Sequence, residues 1–419
     1  MGPDAVAIFL GGRLVTRSRD TEFPFRQDSD FWYLTGFEHP DAVAVLRTDG
    51  GPPFTLYVQP RAPEMEIWTG IRPGKEGAIA SYGADEANHV DEFPSHLPNL
   101  LAKLRRIYHV LGRDPAIDTR ITEVLESMRL RSRQGVAPAE EIVDPRSILH
   151  EMRLFKEPAE LEIMRRAASI TEEAHLDAAR MARGGTNEFE LQAVIEYAFK
   201  RRGASAPAYT TIVGGGRNAT VLHYITNDQP LVDGELVLID AGCELEGYAS
   251  DVTRTLPIGG RFDGPHRALY EVVLDAQLAG VEASKPGATL GAIHDLTVRR
   301  LVEGLVSLRL LAGSVDDLIA NETYRRLYMH NTSHWLGLDV HDVGNYRSDG
   351  EHRSLEPGMV FTVEPGLYVS ANDEHADESF RGIGIRIEDD IVITDSGCEN
   401  LTASIPKAID ELEALVSLR

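Results

Sequence analysis

Four carboxylates and one imidazole are placed where they could do chemistry. Asp240 and Asp251 lie on segments 237–243 and 248–256, which read as a hairpin around a four-residue loop at 244–247. If residue 243 pairs with residue 248, Asp240 stands directly opposite Asp251, and opposed Cβ atoms are about 4.5 to 5.5 Å apart. Two like charges at that spacing repel unless a cation lies between them, one is protonated, or a base such as Arg254 answers them. The pair by itself favours protonation or an arginine partner. Glu364 ends the apolar strand 359–363, and Glu388 shares a face with Arg386 in the alternating stretch 383–394. Their neighbours Asp389 and Asp390 read as solvated turn acids. His334 falls in HNTSHWLGLDVHD, a histidine-rich stretch without the helical HExxH spacing. Alone it reads as a core histidine; beside four strand-borne acids it becomes a candidate metal ligand.

Positioning such a set takes a sizeable scaffold. The chain has 419 residues, 42% hydrophobic and 26% charged, enough to build two domains with full cores. A net charge of −24 repels phosphate backbones and anionic membrane surfaces, which argues against nucleic-acid and membrane partners. Cys243 and Cys398 are too few for a disulfide framework or a thiolate zinc site, and read as small core residues in a reducing compartment. MGPDAVAIFLGG has no basic leader and only a short apolar run, so a cytoplasmic location is expected.

Residues 5–10, 42–46 and 54–58 read as strands of an α/β domain. Near Lys156-Glu157-Pro158 the pattern changes to a long amphipathic helix, followed by another from the cap Asn187, with Glu190 three residues on, to Gly203. No low-complexity linker intervenes, which predicts two closely packed parts dividing at about 150–158. The later part contains an echo: Gly234, Asp240 and Gly242 recur as Gly358, Glu364 and Gly366, at a constant offset of 124 residues. Chance accounts for it as well as a duplicated half-domain, whose twofold would bring one acid from each half to a shared centre.

The segments TIVGGGRNATVLHYITN, LVLIDAGCELEGYASDVTRT, HNTSHWLGLDVHDVG, EPGMVFTVEPGLY and GIRIEDDIVIT resemble, in order, the motifs of the pita-bread metallopeptidases. FRQDSDFWYLTGF and the EIWTG around Trp68 resemble the aminopeptidase P (Xaa-Pro aminopeptidase) branch, with prolidase a near relative. The resemblance implies an N-terminal creatinase/prolidase-like α/β domain over 1–155, with roles in oligomerisation and the substrate pocket. Residues 156–419 would form the pita-bread α+β catalytic domain with pseudo-twofold duplicated halves. It implies two divalent ions: Asp251 and Glu388 bridging both, Asp240 holding one, His334 and Glu364 holding the other. Such a hard, oxygen-rich set suits Mn(II), with Co(II) or Zn(II) as substitutes.

The resemblance further implies a water shared by the ions as nucleophile, and Glu364 as the group passing its proton to the leaving proline nitrogen. His223, His330 and His341 would steady the oxyanion and substrate, or, for His330 and His341, support the ligand His334 from behind. Arg386 would orient carboxylates, since arginine stays protonated. Trp68, of this or a neighbouring subunit, offers a wall for the proline ring, or is simply a packed tryptophan. The substrates implied are peptides with proline second, and the assembly a homodimer or homotetramer. Asn331 departs from the glycine common at that point; asparagine tolerates the left-handed backbone such a glycine would supply.

Rival readings are a prolidase confined to dipeptides, a non-catalytic pita-bread binding protein, and a metal-free hydrolase of creatinase type. Gly214, Gly216 and Ala219 also fit a dinucleotide-binding GxGxxA, but the residues after it carry no helical period. No GxSxG elbow supports a serine nucleophile.

Overall fold

The computed structural model describes residues 1–417, which form two compact units, Met1–Glu151 and Met152 onward. The first is α/β. Its six-stranded sheet runs in the order Glu86–His89, Phe54–Val58, Val43–Arg47, Ala5–Leu10, Arg106–His109, Glu141–Val143. The three strands expected from the sequence are all present, and helices such as Pro115–Leu130 cover the sheet. Val6, Ile8, Val45 and Ile107 are buried on one face and Ala7, Phe9, Ala44 and Leu56 on the other, the period-2 signature of a sheet covered on both sides.

The second unit is α+β and twice repeats a pair of long helices followed by antiparallel strands. Pro158–Met181 and Glu188–Arg201 precede the sheet of Ile212–Gly215, Leu236–Asp240 and Thr253–Pro257. Gly264–Ala283 and Leu290–Ser307 precede the strands Val360–Val363 and Asp389–Ile393. The helix starts follow from their caps. Pro158 occupies the first turn beside the Glu157/Glu160 capping box, and Asn187 with Glu190 closes the next. Helix residues such as Ala174, Ala178, Leu191 and Ile195 bury against Val213, Val237 and Ile239. The echoed glycines are structurally alike: Gly234 and Gly358 have φ of 90° and 89°, a left-handed turn into each acid-bearing strand. Among the described residues no helix is long and apolar enough to cross a membrane.

The hairpin register differs from the sequence expectation. Leu245 pairs with Tyr248 and Asp240 with Thr253, not Asp251. The loop is two residues, Glu246-Gly247, both at positive φ (49° and 83°), the tight turn whose twist matches the strands. Because the slip is an even number of residues, Asp251 keeps the face of Asp240 and moves to the diagonal position. Gly242 makes this possible: a Cβ there would lie 1.7 Å from the Ser250 carbonyl oxygen.

Candidate metal centre

Asp240, Asp251, His334, Glu364 and Glu388 all line one cavity of about 710 Å³ in the second unit. Ligand atoms of Asp251, His334 and Glu388 lie within 4.8 Å of one another. Asp240 joins them through Tyr209, whose hydroxyl lies 2.6 Å from an Oδ1 of both Asp240 and Asp251. Glu364 joins through His334, its Oε1 being 3.4 Å from Nε2. The acids come from different strands, and each is the residue at which a strand ends or its ladder breaks. The histidine segment runs beside Val360–Val363, with Thr362 N–H donating to His334 O, Leu336 N–H donating to Val360 O, and a Trp335–Phe361 bridge. Trp335 is buried and stacks on Tyr346 at 5.4 Å, fixing the backbone beside His334.

His334 carries its proton where a ligand histidine needs it. Nδ1–H donates to the Trp335 carbonyl at 3.0 Å, which turns Nε2 toward Asp251 Oδ2 at 3.3 Å. Burial would lower its pKa, but Asp251 and Glu364 outweigh burial and raise it to about 9. The field at Nε2 therefore favours positive charge. Burial lifts the Glu364 carboxyl to about 7, with His334 and Arg386 pulling the other way. Burial also raises Asp240, against the opposing pull of Arg386, and raises Glu388 well above its ordinary value with help from Asp251. Hard carboxylate oxygens around one imidazole nitrogen, those of Asp240, Glu364 and Glu388 unfavourable as bare anions, form a donor set that a divalent cation fits.

An arginine also reaches the cluster, from one side. Arg386 Nη2 donates to Asp240 Oδ2 at 2.5 Å, Nε to Thr253 Oγ1, and Nη1 to the Tyr368 hydroxyl. Asp251, His334 and Glu388 stay turned to the cavity. His330 spends both ring nitrogens: Nδ1–H donates to Asn331 O at 2.8 Å, and Nε2 accepts from Tyr368 at 2.8 Å. Burial, followed by Arg386, lowers it to about 3, so it is neutral. The His341 ring sits 4.4 Å from that of His334, and His223 lines the same cavity. Trp68 is 83% exposed on the helix Pro63–Thr69 of the first unit, so it is not a packed core tryptophan.

Two further expectations are corrected. Asp389 and Asp390 are 0% and 1% exposed, not solvated. Asp389 is held by Arg254, Lys407, Gln277, Asn400 and Thr402, and Asp390 accepts from the Asp251 N–H. Adjacent acids looked like a turn because the groups that hold them, Arg254 for Asp389 and the Asp251 N–H for Asp390, lie more than a hundred residues away. Asn331 is not among the positive-φ residues, so the loop does not use the left-handed freedom a glycine would bring. The GGGRN stretch forms a strand end and a 3₁₀ turn rather than a helix, which disposes of the dinucleotide reading. Sequence reasoning missed Tyr209, Tyr368 and Thr253, and it set Arg254 against Asp240 or Asp251, whereas Arg254 pairs with Asp389. Thr253 and Arg254 had a signal, since strand alternation puts Thr253 on the face of Asp251 and drives Arg254 into the core behind it.

The profile of metallopeptidase family M24 matches residues 162–395, and that of the aminopeptidase P N-terminal domain matches residues 1–108. The chain belongs to metallopeptidase family M24. It is 46% identical to an Xaa-Pro aminopeptidase of Escherichia coli (strain K12), over 99% of this chain and 94% of that protein. Identity to an Xaa-Pro aminopeptidase of Haemophilus influenzae is 43%, over 100% and 94%. Among solved structures, Pseudomonas aeruginosa aminopeptidase PepP matches with a TM-score of 0.97 at 46% identity, covering 99% of this chain and 94% of that one. An E. coli aminopeptidase P variant in complex with substrate matches with a TM-score of 0.95 at 46% identity, covering 99% and 94%. The two-part architecture is thus that of aminopeptidase P, and the chain is a hydrolase of the metallopeptidase class.

Proposed function

We propose that this chain removes the N-terminal residue from peptides whose second residue is proline, using two divalent cations held by Asp240, Asp251, His334, Glu364 and Glu388. The observation that carries the reading is the approach of Asp251, His334 and Glu388 ligand atoms to within 4.8 Å, in a chain 46% identical to an Xaa-Pro aminopeptidase along nearly its whole length. As the family resemblance implies, Asp251 and Glu388 would serve both ions, Asp240 one, and His334 with Glu364 the other. Mn(II) suits so many carboxylates, with Co(II) or Zn(II) as substitutes. Bound there, the ions would acidify a shared water and polarise the scissile carbonyl.

The chain's own groups supply the rest. Glu364, whose carboxyl is raised by burial in the cation-free chain, would take a proton from the shared water and pass it to the departing proline nitrogen. His223 and His341, exposed on the cavity, are placed to steady the substrate carbonyl. His330 acts through the Tyr368 hydroxyl that it accepts from, and Arg386 steadies Asp240. Apolar Ile212, Leu222, Ile225 and Val340 line the same cavity. Proline's tertiary nitrogen offers no N–H once in a peptide, so its ring must be recognised by shape. Trp68 would supply an aromatic wall in a homodimer or homotetramer. Exposed Ile67, Trp68 and Ile71 favour such a partner surface. Unpaired Cys243 and Cys398 are in keeping with a reducing, cytoplasmic setting. Residues 1–155 would form the pocket-contributing part and 156–419 the catalytic one.

Metal content measured alongside turnover of Arg-Pro-Pro, an Arg-Ala-Pro control and an Xaa-Pro dipeptide tests this reading. About two ions per chain and release of arginine from Arg-Pro-Pro alone are expected. A metal-loaded protein that leaves Arg-Pro-Pro intact refutes it, and one that cleaves only the dipeptide makes the chain a prolidase.

A further inference from the structure

Glu388 occupies an awkward place in the fold. It falls between the strands Ile383–Arg386 and Asp389–Ile393, which pair with different partners, so the ladders leave its peptide group to be satisfied elsewhere. One dipeptide, Thr253-Arg254, does so. Glu388 N–H donates to Thr253 O at 3.1 Å, the Thr253 hydroxyl donates to Glu388 Oε2 at 2.5 Å, and Arg254 Nη1 donates to Glu388 O at 2.5 Å.

Arg254 is 1% exposed and has every N–H engaged. Nη1 also reaches Thr253 O, Nη2 reaches Asp389 Oδ1 and Ile405 O, and Nε reaches Pro406 O. The guanidinium is therefore held on one side by a C-terminal turn and on the other grips the backbone that carries Glu388. Asp389 fixes it in turn through Oδ1, while its Oδ2 accepts from Gln277, Asn400 and Lys407. A fork with this many fixed acceptors has one orientation, which a lysine's single ammonium cannot reproduce.

We propose that Arg254, anchored by Asp389 and the carbonyls of Ile405 and Pro406, is a positioning residue that sets where the Glu388 carboxylate sits in the metal centre. The inference rests on the proposed ligand role of Glu388. Arg254 touches no reacting atom; it acts through the Glu388 carbonyl and Thr253. The ionic cluster behind the cavity thus links the C-terminal turn to the chemistry, beyond its contribution to folding.

The test compares full-length wild type with Arg254→Lys and Lys407→Met. Each chelator-treated protein is titrated with Mn(II) by calorimetry, then assayed on an Xaa-Pro peptide at saturating metal. Arg254→Lys is expected to weaken metal binding by about 10- to 100-fold and to lower kcat with little change in KM. Lys407→Met loosens Asp389 from its outer side and leaves Arg254 in place, and is expected to move the same quantities the same way by about threefold or more. Folded variants with wild-type metal affinity and kcat, changed only in melting temperature, overturn the proposal. Should Arg254→Lys fail to fold, Lys407→Met alone decides between these outcomes. Wild type that takes up no metal removes the reading of Glu388 as a ligand, and is distinguished by its own titration.

Discussion

Lowering the pH should stabilise the cation-free protein, and a bound divalent ion should remove most of that dependence. Ligand oxygens of Asp251 and Glu388 lie within 4.8 Å. Two full charges at that separation repel by about 3.5 kcal/mol at an effective dielectric constant of about 20. The direction follows from the individual groups. Burial raises Glu364 from its ordinary 4.5 to about 7, so its ionisation in the folded chain removes stability progressively as pH climbs from 4.5 through 7. His334, raised from 6.5 to about 9 by its acids against the effect of burial, contributes stability that is present below 6.5 and lost as pH rises through 9. Both slopes have the same sign. In a unit of this size about 2 °C accompanies each kcal/mol, so relief of one such repulsion corresponds to about 7 °C. Scanning calorimetry of chelator-treated protein between about pH 6.5 and 8.5, above the range where His330 and His175, lowered to about 3 and about 4, would oppose the slope, measures it with and without Mn(II). A chelated protein whose melting temperature is level or climbs with pH would refute the crowding of these acids. So would a loaded protein that keeps the full slope.

Asp251→Ala should lose metal binding and turnover together while far-UV circular dichroism stays native, because in the proposed centre this side chain would serve both ions; retained activity would count heavily against the scheme. Tyr209→Phe removes the hydroxyl shared by Asp240 and Asp251 and should weaken metal affinity by about tenfold, as read by calorimetry. Gly242→Ala should destabilise the second unit by about 3 kcal/mol or more, since its Cβ would strike backbone rather than a movable side chain; urea unfolding checks this. Trp68→Ala should raise KM for proline peptides far more than it changes metal content.

Much of the site was legible because its signals are local. Helix starts at Pro158 and Asn187 followed from caps within four residues. The spaced echo of Gly234-Asp240-Gly242 in Gly358-Glu364-Gly366 marks turn, strand and acid in each half, and a turn glycine behaves alike wherever its φ is positive. The hairpin register was misjudged by two residues, since the tight turn at Glu246-Gly247 and the close approach at Gly242 outweigh the pattern of apolar residues. An even slip leaves both acids on one face, so the constellation survived the error.

The sequence by itself determined which side chains carry charge, which strands end in acids and which family the chain resembles. Only the tertiary structure decided what stands opposite those charges. Asp389 and Asp390 look solvated in sequence because a charge's environment depends on contacts more than a hundred residues away, such as Asp389 with Gln277 and Arg254. The same holds for Tyr209 between two aspartates and for Arg254 behind Glu388. Hydrogen bonds and desolvation act over a few ångströms of space, and separation along the chain does not encode that distance.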